Sequence, residues 1–186
     1  MDRVELSADL VTGIRDIDTQ HTSMIAWTNA IAALGSSARD RALAGQAARF
    51  LVAYVAYHFA AEEYAMALTA YPRLAAHRQE HVEFRSRVAT IRRFKESGPP
   101  NATPAAELHR VMVDLVGLHI RRADRDFARY CAANRDIASL RLPSPQELIS
   151  FGHRLADYAE VEYVHGAGEV TVAEVKDRLK DDRRWK

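Results

Sequence analysis

Apolar positions recur every three to four residues over most of this chain, the period of helices that bury one face. Ile17, Met24, Ile25, Ile31 and Leu34 make a first stripe, beginning near Asp18 and stopped by Gly35. Ser37, in the turn "GSSARD", suits the cap of a second and longer helix carrying Leu43, Ala47, Phe50, Leu51, Tyr54, Val55, Phe59 and Met66. "TAYP" ends that helix, and Pro72 fits the first position of a third, whose stripe is Leu74, His77, His81, Phe84, Val88 and Ile91. The linker "ESGPPNATP" leads to a fourth helix, capped at Thr103 with Pro104 in its first turn. It passes through Leu108, Met112, Leu115, Val116 and Ile120 to about Tyr130. Four amphipathic helices on short connections predict an all-α fold, an antiparallel up-down four-helix bundle over residues 1–135 whose N-terminal stretch, to about Ile17, is an extended arm.

Residues 136–186 differ in character and predict a C-terminal helical extension of two short helices. "SPQE" at 144–147 is a capping box with proline in the first helical position, opening a helix to about Glu160. "TVAE" at 171–174 opens another, and the glycine-hinged "EYVHGAGEVTV" connects them. The role of this extension is not legible from its residues.

Composition narrows the functional classes. A formal charge of +1 leaves no electrostatic footprint for nucleic acid or for a polybasic membrane patch. No apolar run approaches the ~20 residues of a membrane span. The start "MDRVELSADL" lacks the pattern of a secretory signal, and a single cysteine, Cys131, precludes an internal disulfide or a thiolate metal cluster. The expected compartment is the cytoplasm.

The candidate chemistry lies on the apolar stripes. Of eight histidines, five fall there. His58 and Glu62 are four residues apart and project to within about 40° of one another, and His77 and His81 repeat the spacing. His21 shares a face with Ile17, Met24 and Thr28, and His119 with Met112 and Leu115. One histidine on such a face is usually a hydrogen-bonded core residue. Five beside a carboxylate ask for a cation, because Glu62 would otherwise stay protonated or reach the surface, and imidazole with carboxylate suits iron, manganese or zinc. So many donors exceed one ion's coordination and predict two ions with bridging carboxylates. The second bridge lies near His119. Asp126 returns to within about 20° of its azimuth but lies about 10.5 Å along the axis, whereas Asp124 is closer but rotated by about 140°. Helical spacing does not choose between them.

The succession "GIRDIDTQH", "YHFAAEEYAM", "YPRLAAHRQEHVEF" and "LHIRRAD", over about residues 10–131, resembles the hemerythrin family and more closely its bacterial branch. The resemblance implies an oxo- or hydroxo-bridged pair of Fe ions. His77, His81 and His119 would bind one, His21 and His58 the other, and Glu62 and Asp124 would bridge them. It also implies O2 as the ligand of the five-coordinate iron and a dry pocket lined by Phe59, Met66, Phe84 and Val116. Many members carry tryptophan where this chain has Leu115, a departure that bears on how tight the pocket is.

The expected function is reversible, non-enzymatic O2 binding, as carrier, store or sensor, since five histidines to two carboxylates favour it over oxygen activation. The competing classes are a di-iron oxidase or peroxidase, a protein handling nitric oxide or iron, and a signalling module whose extension meets a protein partner or a second copy. Among the remaining candidates, Glu63 is read as a solvated or supporting carboxylate and His109 as exposed. Arg121, Arg122 and Arg125 form a solvated face, Cys131 is a small residue at a helix end, and Glu162 with His165 is a lone surface pair, as is His153 a surface residue.

Overall fold

In a computed structural model, residues 4–5, 7–35, 37–97, 105–134 and 141–150 are described. The linker with Thr103 and Pro104, the end of the fifth helix, the second capping box, His153, Glu162 and His165 lie outside the described residues. The fold is all-α, a bundle of helices. The elements are α1 (Arg15–Ala32), α2 (Ala38–Leu68), α3 (Leu74–Ser97), α4 (Ala105–Asp114), a π-helical segment (Leu115–Asp124), α5 (Arg125–Ala133) and the short α6 (Pro145–Ser150). Among the described residues no helix is long and apolar enough to cross a membrane.

Local chemistry sets the helix ends. α1 begins at Arg15 rather than near Asp18, because Asp18 reaches back to accept from the backbone of Thr12 and Gly13 and from the Thr12 hydroxyl. Gly13 makes that turn at φ +82°, which glycine adopts without strain. The arm before it is not wholly extended: Ala8–Leu10 forms a 3₁₀ turn, and Val4 exchanges two hydrogen bonds with the Asn29 amide. Ser37 and Asp40 form the capping box of α2. Pro72 stands in the turn ahead of α3, which starts at Leu74.

The α2 terminus is closed by a left-handed residue. Ala70 has φ +53°, Tyr71 donates to the Met66 carbonyl and Ala70 to that of Ala67, the paired bonds of a Schellman motif. Such a φ suits glycine better than alanine. Ala70→Gly is expected to raise stability by about 0.5–1 kcal/mol in denaturant unfolding, the relief exceeding the extra entropy of an unfolded glycine.

Pairs across neighbouring helices run in opposite senses. His21 meets His58 while Trp27 stacks on Phe50, and Phe59 meets Phe84 while Glu63 binds Arg78. Arg87 binds Asp114 while Arg73 binds Asp126. The core between them holds Phe50, Leu51, Tyr54, Phe59, Met66, Leu108, Met112 and Phe127, all below 2% exposure. His109 is buried, against the expectation from sequence: it precedes Met112 by three residues and so falls on the same inward face. Leu142 and Leu148, from the start of the C-terminal extension, belong to the bundle's own hydrophobic core. "SPQE" caps α6 as expected, Ser144 and Glu147 exchanging hydrogen bonds.

Candidate metal centre

His21 comes from α1, His58 and Glu62 from α2, His77 and His81 from α3, and His119 and Asp124 from the π-helical segment. All seven are buried. Their potential ligand atoms form two overlapping groups, Glu62 with His77, His81, His119 and Asp124, and His21 with His58, Glu62 and Asp124; within each, the atoms lie within 4.8 Å of one another.

The π-helical segment resolves the choice between the two aspartates. In an α-helix residues five apart point about 140° from each other. A π-turn closes from i to i+5, so His119 and Asp124 stack on one face. Asp124 is wholly buried among the imidazoles, whereas Asp126 lies back in α-helix and pairs at the outside with Arg73 and Arg129. The azimuthal preference for Asp126 assumed α geometry where the backbone is not α.

Asp124 divides its oxygens between the two groups. Oδ1 stands 3.3 Å from His77 Nε2 and 3.0 Å from His119 Nε2, while Oδ2 stands 3.0 Å from His21 Nε2 and 4.0 Å from His58 Nε2. Glu62 Oε2 lies 3.5 Å from the Nε2 atoms of His58, His77 and His81 alike. These are ion-pair approaches rather than directed bonds: both oxygens of each carboxylate, and Nε2 of His21, His58 and His77, are buried with no hydrogen-bond partner among the described residues.

A set of outer residues fixes how the rings face inward. His58 Nδ1 lies 2.7 Å from Gln20 Oε1, His81 Nδ1 2.9 Å from Glu63 Oε1, and His119 Nδ1 3.1 Å from Glu80 Oε2. Each partner accepts a proton at Nδ1, which turns the Nε2 lone pair to the interior. Between His81 and His119 the two Nε2 atoms are only 3.0 Å apart, so a proton or a cation must lie between them. Glu63 therefore supports the centre, further held by Arg78 and Arg85, and Arg122 extends the Glu80 contact to the surface. Arg121 and Arg125 are also engaged, with the Asp9 carboxylate and carbonyl, instead of only lining a solvated face.

Gln20 and Glu80 were not legible as site residues, yet one regularity could have found them. Gln20 is the sequence neighbour of His21, Glu63 of Glu62 and Glu80 of His81. Each stands about 100° round its helix from a candidate ligand and so serves a histidine on the adjacent helix.

The electrostatics ask for positive charge. Burial and Asp124 work against ionisation of Glu62, but His58, His77 and His81 prevail and hold it below the ordinary carboxylate range. Asp124 is likewise held well below it, its burial outweighed by His119, His21 and His58. Burial opposes protonation of His77 and His119, yet Asp124 and Glu62, with Glu80 beside His119, push them up to about 9 and about 10. For His58 burial wins and the imidazole falls below its usual range. Without a metal, protons on His77 and His119 thus balance two buried carboxylates. Cations can replace those protons, and neutral imidazole with carboxylate suits divalent iron. Adding ferrous iron anaerobically at pH 7 is expected to release about two protons per chain, read in a pH-stat, because both imidazoles must deprotonate to bind.

The expected pocket residues are all buried, but they distribute unevenly. Phe59 lies flat on His81, with ring centroids 3.8 Å apart and 4° between planes, and edge-on to His119. Phe84 meets His119 at 5.7 Å. Both therefore pack on the three-histidine side, and Phe59 also meets His58 at 5.8 Å. Met66, Leu115 and Val116 belong to the surrounding core. Nearer to His58 than Phe59 is Tyr54, 4.6 Å from the imidazole, fully buried and with no partner for its hydroxyl among the described residues. From sequence it read only as core.

Residues 12–131 match the family model described as the hemerythrin HHE cation binding domain. Over 120 residues the chain is 34% identical to a bacteriohemerythrin of Stenotrophomonas maltophilia (strain R551-3), an alignment covering 64% of this chain and 76% of that protein. No solved structure matches.

Proposed function

The chain belongs to the hemerythrin family, and from that premise we propose that it binds O2 reversibly at a non-heme di-iron centre, as carrier, store or sensor. In this reading His77, His81 and His119 hold one iron, His21 and His58 the other, and Glu62 and Asp124 bridge them. The observation that carries it is the division of Asp124, one oxygen toward His77 and His119 and the other toward His21 and His58. Two bound ferrous ions would together supply the electrons that reversible O2 binding requires.

The residues of the chain do the rest. Gln20, Glu63 and Glu80 keep the proton at Nδ1 of His58, His81 and His119 and so leave Nε2 to the interior. Phe59, Phe84, Met66, Leu115 and Val116 exclude water, which suppresses loss of charged products and irreversible oxidation. The histidine-rich donor set supports binding over catalysis, since oxygen-activating bundles build their sites largely from carboxylates. The lone cysteine supports a cytoplasmic location.

Metal analysis is expected to return two irons per chain. The reduced protein should gain near-ultraviolet and visible charge-transfer bands in air and lose them on deoxygenation over repeated cycles. One iron or none defeats the reading, and single-cycle irreversible oxidation with substrate turnover transfers it to the oxidases.

A further inference from the structure

The C-terminal extension begins beyond residue 131, where the match to the family model ends. Its described part nevertheless reaches the centre. Leu142 and Leu148 are buried in the bundle core at 1% and 0% exposure, and the Leu142 amide donates to Asp16 on α1 at 3.0 Å. Between these anchors the Pro143 carbonyl accepts from the Tyr57 hydroxyl at 3.1 Å. Tyr57, fully buried on α2, also hydrogen-bonds the Gln20 side chain, and Gln20 Oε1 meets His58 Nδ1 at 2.7 Å. We propose that residues 141–148 are a strap that orients the His58 imidazole through Tyr57 and Gln20, so that the extension tunes the His21/His58 half of the metal centre.

The polarity of the relay follows from counting donors. A carbonyl can only accept, so Pro143 takes the single proton of the Tyr57 hydroxyl. The hydroxyl must then accept from the Gln20 amide nitrogen, which turns the amide oxygen to His58. That oxygen can only accept, so Nδ1 carries the imidazole proton and Nε2 presents its lone pair to the interior. Were Pro143 withdrawn, the hydroxyl could rotate and donate to Gln20, the amide could reverse, and its NH2 group would favour a bare Nδ1. The proton would then sit on Nε2, where it blocks a metal. Tyr57 and Gln20 are positioning residues in this scheme, and Asp16, Leu142 and Leu148 secure the strap.

What His58 serves rests on the di-iron reading, but its tautomer does not, and that separates the two tests. Nitrogen-15 NMR of the metal-free, full-length protein at one pH reads the proton position on His58 directly. The wild type is expected to show the Nδ1–H form. Tyr57→Phe and, separately, Leu142→Ala should each shift His58 toward a mixture of the two forms. Asp16→Asn, which weakens the Leu142 anchor without opening a cavity, should do so to a smaller extent and stands in if Leu142→Ala fails to fold. In ferrous protein under anaerobic conditions, Tyr57→Phe should speed release of one of the two ions to a chelator by about 10–100-fold and leave the other unchanged. An unaltered His58 tautomer in Tyr57→Phe would overturn the relay, and a response to Tyr57→Phe with none to either strap variant would overturn the role of the extension. A wild type holding fewer than two irons would defeat the di-iron reading while the NMR result still decides the relay.

Discussion

Asp124→Asn is expected to reduce iron content from two ions per chain to at most one, while Asp126→Ala retains both. Asp124 stands among the Nε2 atoms of His21, His58, His77 and His119, wholly buried, and in the proposed arrangement no other residue can join the two halves on that side. The asparagine is nearly isosteric, so the bundle should fold. It cannot bridge with two anionic oxygens, and its NH2 group would face imidazole lone pairs or an iron. The loss should exceed the roughly 10–100-fold that removal of an outer partner costs. Asp126 contributes surface ion pairs with Arg73 and Arg129, each worth about 0–1 kcal/mol. Metal analysis of the purified variants is decisive: two irons in Asp124→Asn, or a comparable loss in Asp126→Ala, would refute the assignment and the stacking by the π-turn on which it depends.

Removal of both ions is expected to lower the melting temperature by about 16–32 °C, each ion contributing about half. An ion present at about a thousand times its dissociation constant stabilises the folded chain by about 4 kcal/mol, and a chain of this size loses about 2–4 °C per kcal/mol. The metal-free protein should also acquire an alkaline limb. His77 and His119 have folded pKa values raised to about 9 and about 10, so their contribution is complete below the unfolded value near 6.5 and is lost as pH rises through 9–10. Glu62 and Asp124 have depressed pKa values, so their contribution is present above the ordinary carboxylate range and is lost on acidification below it. Melting curves of the stripped protein should therefore be highest between about pH 5 and 6.5 and fall progressively from there to about pH 10. The iron-loaded protein should lack the alkaline fall, because its imidazoles are already neutral, and keep the acid one, because protons compete with the metal. Identical pH profiles for the two forms would contradict the exchange of protons for ions at these residues.

How much of the centre can be read from the chain depends on whether the relation is internal to one regular helix. His58 with Glu62, and His77 with His81, are visible because a four-residue step in an α-helix returns to one face. The bundle itself is visible for the same reason, its stripes being periodic, and so are the helix cap at Ser37 and the capping box at Ser144, which close over three residues. Asp124 is not visible from spacing, because its placement depends on a π-helical segment whose hydrogen bonds are adopted only where packing holds them. His109 reads as exposed although its three-residue step from Met112 places it on the same inward face. The pairings of Gln20 with His58, Glu63 with His81 and Glu80 with His119 cross from one helix to the next, and the contact of Pro143 with Tyr57 spans 86 residues. By itself, then, the sequence determined the helices and the inventory of donors, since periodicity and local hydrogen bonding act along the chain. Only the tertiary structure decided which donors converge, which aspartate lies between them and what holds each imidazole in place, because those distances exist only once separate helices have packed.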